Sequence, residues 1–141
     1  MPTFEGSCHC GNLRIAFRTE SPPDDLAVRA CQCSFCRAHG ARTVSDPHGW
    51  VTVVVADESR TTRYRFGLAT ADFLICRTCG VYVGAVMEHQ GRCYCALNVN
   101  ALEGEAFQGR AARPVDYEGE SAESRIERRT RVWTPCSIEK R

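Results

Sequence analysis

Cys31-Gln32-Cys33-Ser34-Phe35-Cys36 is the stretch on which this sequence turns. Matching cysteine pairs stand on either side of it, Cys8-His9-Cys10 upstream and Cys76-Arg77-Thr78-Cys79 downstream. Bringing several thiolates to one point is unfavourable unless a cation neutralises them. Zn²⁺ favours sulfur at about 2.3 Å in a tetrahedral shell. Residues two apart in an extended segment share a face, so Cys31 and Cys33 can point the same way, and Cys36 returns from the turn that follows. Cys8 and Cys10 obey the same geometry.

The rest of the composition narrows what these thiols can be for. A chain of 141 residues suits one domain with a single modest core. Hydrophobic residues make up 43% and charged residues 25%, ordinary values for a soluble globular protein. The formal net charge of +1 gives no global field toward nucleic acid or a membrane surface, and seven zinc-bound thiolates with two zinc ions would turn that balance slightly negative. Met1-Pro2-Thr3-Phe4-Glu5-Gly6 shows neither a basic n-region nor an apolar h-region. The longest apolar runs, such as Val51 to Ala56 with Thr52 inside it, fall far short of the roughly 20 residues that span a bilayer. The expectation is a cytoplasmic protein with reduced thiols. Under reducing conditions, C-x-C and C-x₂-C spacings read as metal sites rather than as a disulfide framework.

Along the sequence the patterning is that of a mainly β protein. Leu13-Arg14-Ile15-Ala16-Phe17-Arg18 alternates with a period of two and predicts a half-buried strand, ended by Ser21-Pro22-Pro23-Asp24-Asp25. Leu26 to Cys33 reads as a second strand leading into the central cysteines. After the turn Asp46-Pro47-His48-Gly49, the β-branched run Trp50 to Val55 predicts a strand, with Thr61 to Phe66 as its hairpin partner or neighbour. Val81 to Met87 and Cys93 to Val99 flank a hairpin turn at Glu88-His89-Gln90-Gly91. The architecture expected is antiparallel strands with metal-bearing turns. Residues 1–120 form the zinc-binding β domain, and 121–141 a helical, arginine-rich extension packed on it. Ser121 is placed to cap a short surface helix carrying Glu127 and Arg131 as an i,i+4 pair and pinned by Ile126 and Trp133.

The simplest pairing joins Cys8 and Cys10 to Cys76 and Cys79 in a closed Cys₄ shell, a structural site that contributes directly to folding. Cys31, Cys33 and Cys36 would then hold a second zinc with three sulfurs. Three protein ligands and an open position are the arrangement of a catalytic zinc. Three candidates could instead close the shell: His39, in the spacing Cys36-x₂-His39, and Cys93 or Cys95 on a later strand. Core packing is the plainer reading of Cys93 and Cys95, and Cys136 reads as a spectator. His9, His48 and His89 read as solvated. Asn98 and Asn100 carry a weak signal for hydrogen bonding to a polar ligand.

Gly6-Ser7-Cys8-His9-Cys10-Gly11, Cys31-Gln32-Cys33-Ser34-Phe35-Cys36-Arg37 and Cys76-Arg77-Thr78-Cys79-Gly80 together resemble the glutathione-dependent formaldehyde-activating enzyme family, which includes centromere protein V. The resemblance covers roughly residues 3–119 and implies the Mss4-like, or β-tent, fold. It implies a structural zinc on Cys8, Cys10, Cys76 and Cys79 and a second, catalytic zinc on Cys31, Cys33 and Cys36. That makes two Zn²⁺ per protein molecule, with room for partial occupancy of the second. The activity it implies is that of S-(hydroxymethyl)glutathione synthase or a related carbon–sulfur lyase acting on a small thiol such as glutathione and on formaldehyde. The Cys93–Cys95 pair and the arginine-rich tail are not part of that family's signature.

Two other readings stand beside this one. A non-enzymatic zinc-binding β-domain for a protein partner would need the second site closed by His39, Cys93 or Cys95. A nucleic-acid binder would use Arg125, Arg128, Arg129 and Arg131 on phosphates, against which the near-neutral charge argues. The expected partner is therefore a small thiol, with neither nucleic acid nor membrane, and oligomeric state is not legible in the sequence.

Overall fold

In a computed structural model, which describes residues 2–141, these patterns become eleven strands and two α-helices. The strands are β1 (Thr3–Ser7), β2 (Leu13–Arg18), β3 (Arg29–Cys31), β4 (Thr43–Val44), β5 (Trp50–Val55), β6 (Thr61–Tyr64), β7 (Asp72–Cys76), β8 (Tyr82–His89), β9 (Arg92–Asn98), β10 (Arg113–Val115) and β11 (Thr134–Lys140). The helices are α1 (Ser34–His39) and α2 (Ala122–Val132). The alternation in β2 and β5 does what its period dictates. Leu13, Ile15, Phe17, Val51, Val53 and Val55 turn inward, while Arg14 and Arg18 face out.

The strands make one mixed sheet with two wings. In the first wing β1 pairs with β2, and β2 with β5, all antiparallel. In the second, β9 lies between β8 and β4, and the sheet continues through β7 to β6 on one side and through β3 to β10 on the other. β11 joins them. Thr134 and Pro135 pair antiparallel with Cys95 and Tyr94 of β9, and Cys136 to Lys140 then run parallel to Val51–Val55 of β5. Pro135, which has no N–H for a ladder, stands where the strand leaves β9.

Several expectations shift here. Thr61 to Phe66 does not pair with Trp50–Val55, because β2 and β11 already occupy both edges of β5; β6 pairs with β7 instead. Two pairings, β5 with β11 and β3 with β10, are parallel, so the sheet is mixed rather than purely antiparallel. The strand expected over residues 26–33 shortens to Arg29–Cys31, since Pro23–Asp25 forms a 3₁₀ turn before it and Cys33 caps a helix after it. Residues 121–141 supply α2 and then the strand that joins the two wings.

The C-terminal helix follows its sequence signals. The Ser121 Oγ accepts the Ser124 N–H at 3.1 Å, and Glu127 pairs with Arg131 at 2.7 Å. Ile126 and Trp133 pack with Ala71, Ala85, Met87 and Ala96, fixing α2 against the second wing. The main core lies between the wings around Phe17, Leu13, Leu74, Leu97 and Phe107. Gly6 permits a close approach there, because a Cβ at this position would meet the Ala101 carbonyl oxygen at 2.1 Å. No helix among the described residues is long and apolar enough to cross a membrane.

Candidate metal centres

The first centre sits where the two wings meet. Cys8 and Cys10 lie in the turn between β1 and β2, while Cys76 ends β7 and Cys79 lies in the turn before β8. All four sulfurs fall within 4.8 Å of one another. Cys8 and Cys10 are 3.8 Å apart, and Cys10 and Cys76 3.5 Å. A tetrahedron of sulfurs 2.3 Å from its centre has edges of about 3.8 Å, whereas a disulfide would need about 2.05 Å. The spacing therefore fits a four-sulfur metal site.

Both turns are built to surround sulfur. Gly11 and Gly80 adopt φ of +86° and +79°, a conformation that glycine takes without steric cost. The Leu13 N–H donates to the Cys8 Sγ at 3.2 Å. The backbone N–H of Asn12, and then Cys76, pull the Cys10 thiol below its ordinary range, while burial pushes Cys8 up to about 11. Arg60 lies outside, its Nη2 3.5 Å from Cys10 Sγ and its Nε donating to Thr78 Oγ1 at 2.9 Å. It would offset the negative charge that four thiolates leave if they hold one divalent cation.

The second centre is Cys31 at the end of β3, Cys33 at the N-cap of α1 and Cys36 within α1, their sulfurs also within 4.8 Å of one another. The Cys33 Sγ accepts the Cys36 N–H at 3.3 Å, a sulfur in the place usually taken by a Ser or Asp oxygen. Gly40, at φ +59°, closes the helix and returns its N–H to Arg37 and Cys36. Within the trio the hydrogen bond from Cys36 lowers Cys31 to about 5, and the same contact together with burial raises Cys36. Three such sulfurs share protons until a cation replaces them. Among the described residues no fourth cysteine, histidine or carboxylate joins this group.

The trio forms part of the wall of a cavity of about 440 Å³, within the range of small-molecule sites. One side is aromatic. Phe66, Phe73 and Tyr82 line it, and Phe35 packs against them at centroid separations of 5.3, 4.8 and 5.0 Å. Tyr82 lines the cavity, and burial holds its phenol well above its ordinary pKa, so it stays protonated.

The facing side is cationic, lined by Arg29 of β3 and by Arg125, Arg128 and Arg129 of α2. Glu120 holds two of these, accepting from Arg128 Nε at 2.8 Å and from Arg125 Nε at 3.2 Å. Arg128 also lies 3.5 Å over the Tyr117 ring. Arg29 donates to Ser45 Oγ at 2.9 Å, and Ser45 donates in turn to the Val132 carbonyl. Arg129 lies 4.6 Å over Trp133 and donates to Thr70 Oγ1 at 2.8 Å. Burial, and then Arg128, lower Arg129 to about 10, which leaves it charged at neutral pH.

No protein-family model and no curated protein matches the sequence. Among solved structures, the fold is similar to the crystal structure of a Rhodobacter sphaeroides protein determined by structural genomics. The TM-score is 0.57 and the identity 33%, over 79% of this chain and 99% of the other. The chain belongs to the same family as that protein.

Against this family fold, the sequence candidates sort clearly. Cys8, Cys10, Cys76 and Cys79 come together, and so do Cys31, Cys33 and Cys36. His39 packs against Phe35 with ring centroids 4.4 Å apart and the planes tilted by 36°, and lies outside the trio's sulfur group. Cys95 is fully buried in the core, and Cys93 hydrogen-bonds Cys136, a partner that keeps its thiol below the ordinary range. Cys136, read as a spectator, is thus a buried core thiol beside Cys93. Asn98 and Asn100 serve the fold. Asn98 donates to the Tyr82 carbonyl and accepts from the N–H groups of Arg42 and Asn100, and Asn100 donates to the Gly40 carbonyl. The tail arginines do not make one exposed stripe, since Arg129 is buried and Arg131 pairs with Glu127 away from the cavity. Arg29 and Tyr117 were missed as cavity residues. For Arg29 a signal existed, because two residues before Cys31 on a strand is the same face.

Proposed function

We propose that the protein is a zinc-dependent enzyme of carbon–sulfur chemistry, joining a small thiol such as glutathione to formaldehyde or releasing it from the adduct. The observation that carries this reading is the trio itself, three sulfurs on a cavity wall with no fourth protein donor among the described residues. The soft donor sets of both centres suit zinc. Cys8, Cys10, Cys76 and Cys79 would hold a structural ion, and Cys31, Cys33 and Cys36 a catalytic one. The three cysteine motifs that resemble the glutathione-dependent formaldehyde-activating family support the same assignment.

A zinc ion on the trio would supply the positive field that lowers the pKa of a substrate thiol. The protein's own residues do the rest. The aromatic wall of Phe66, Phe73 and Tyr82, backed by Phe35, would keep bulk water from one side of the cavity, and the arginines opposite would orient the thiol's polar end. Addition forms one C–S bond, turns the carbonyl oxygen into a hydroxyl, and gives that oxygen the proton the thiol gave up. Tyr82, kept protonated by burial on the cavity wall, would offer its O–H as a hydrogen-bond donor to an oxygen there. Thiols add to formaldehyde unaided, so the protein's contribution is rate and selection.

The test is the exchange rate between free ¹³C-formaldehyde and its glutathione hemithioacetal, measured by exchange NMR. Protein loaded with zinc at both centres is expected to raise the rate in proportion to its concentration, and Cys33→Ser to return it to the uncatalysed value. A fully loaded protein that leaves the rate unchanged would remove the enzymatic reading. That result would promote the binding-domain alternative, for which Tyr64 and Leu68, exposed at 45% and 43%, are the apolar contacts available.

A further inference from the structure

The cationic wall of the cavity is more than the fold requires. Arg125 and Arg128 share the carboxylate of Glu120, but Arg29 and Arg129 form no ion pair among the described residues. Both have neutral partners only, the hydroxyls of Ser45 and Thr70. Arg129 is 7% exposed, and its buried Nε has no acceptor. Asp116 and Glu118 also line the cavity, and Glu120 lies near enough to act on Arg129, but none of these carboxylates pairs directly with Arg29 or Arg129. Leaving a buried guanidinium without a directly paired counter-charge is costly, and a fold with no use for the charge would be more stable with an apolar side chain there. These two arginines come from separate elements, β3 and α2, and converge on one cavity with the cysteine trio. The trio and Arg29 are also close in register. Arg29 and Cys31 share one strand face two residues apart, about 7 Å between Cα atoms at ordinary strand rise.

We infer that Arg29 and Arg129 form a carboxylate clamp that makes the enzyme selective for thiols bearing an acid group a few bonds from sulfur. The planar fork of a guanidinium matches a carboxylate, and the pairing strengthens as water is excluded. Arg125 and Arg128, already committed to Glu120, shape the wall. The thiol end of this inference rests on the function proposed above, whereas the anion end stands on the arginines alone.

The experiment uses the whole 141-residue chain loaded with cobalt at both centres, with two neutral and acidic pairs of probes. Succinate against succinamide, followed by calorimetry with the cobalt bands watched for any carboxylate binding at the ion, tests the clamp apart from the thiol. 3-Mercaptopropionate against 3-mercaptopropanamide, followed by the cobalt bands, tests clamp and metal together. Succinate is expected to bind saturably where succinamide does not. The acid thiol is expected to bind roughly ten- to a hundredfold tighter than its amide, the range for a hydrogen-bonded charge. Arg29→Met and Arg129→Met should each shrink both preferences to within about twofold, and Arg129→Lys should keep part of them. The ligand pairs on the unaltered protein decide the matter even if Arg129→Met fails to fold.

Equal affinity for acid and amide in both pairs would overturn the clamp, and cobalt bands moved by both thiols would leave the thiol chemistry standing. Succinate binding that needs Arg129, with bands that ignore every thiol, would keep the clamp and overturn the thiol chemistry. No binding by any probe would overturn both.

Discussion

Cys8→Ser is expected to cost the protein most of its stability together with one of the two metal ions that its cysteine groups could hold. Cys8 is wholly buried, and its sulfur ties the turn between β1 and β2 to Cys76 and Cys79 at the end of β7. Those turns belong to the two different wings of the sheet, which are also joined by β11 and by the bridge between Gly6 and Leu102. Serine offers a harder, poorer ligand for zinc and leaves three thiolates around a weakened ion. Loss of a structural metal belongs to the short list of changes that exceed about 4 kcal/mol. At roughly 3 °C per kcal/mol for a domain of this size, the melting temperature should fall by about 10–15 °C. Metal analysis should show one equivalent where the unaltered protein holds two. Calorimetry of the purified variant checks both, and a variant that melts within 2 °C or so of the original would show that the four cysteines do not hold a structural ion.

Cys33→Ser is expected to separate metal from fold in the opposite way. The Cys33 sulfur does two jobs: it faces Cys31 and Cys36, and it caps α1 by accepting the Cys36 N–H. Serine is a preferred N-cap residue and can take over the second job, but it makes a poor third ligand for zinc. α1 is six residues long at the rim of the cavity, outside the main core. The stability change should therefore stay within about 1 kcal/mol. The metal content should fall from two equivalents to one, and the acceleration of thiol–formaldehyde exchange should vanish. Should Cys33→Ser unfold the protein as badly as Cys8→Ser, the division into a structural and a catalytic centre is wrong.

Acid should empty both centres by the same logic. Metal-bound cysteines are thiolates and must take up protons to release the ion, so affinity falls with pH.

The parts of the molecule that rest on local pattern were legible in the sequence. The alternation of Leu13–Arg18 and Trp50–Val55, the Gln90-Gly91 turn and the Ser121 cap each encode their own conformation within a few residues. Both cysteine groups were legible too, because ligand spacing is a local constraint. Strand partners were not. Nothing in the period of Thr61–Tyr64 says whether it lies beside β5 or β7, since that depends on which edges remain free after the protein has folded. β11 went unseen because Thr134-Pro135-Cys136-Ser137-Ile138-Glu139-Lys140 mixes polar residues with a proline, and its burial comes from lying between β5 and β9. The cationic wall was hidden for the same reason. Arg125, Arg128 and Arg129 read as a solvated helix face until Ile126 and Trp133 dock α2 onto the sheet and turn that face toward the trio.

The central claim is that the trio holds a metal with a position that a substrate thiol can take. Cobalt reports its coordination through visible absorption, so the direct measurement is the spectrum of the two-cobalt protein during a glutathione titration. The bands of one ion should shift saturably while the other's stay fixed, and Cys33→Ser should abolish the shift. A fully loaded two-cobalt spectrum that ignores glutathione and other small thiols would contradict the claim.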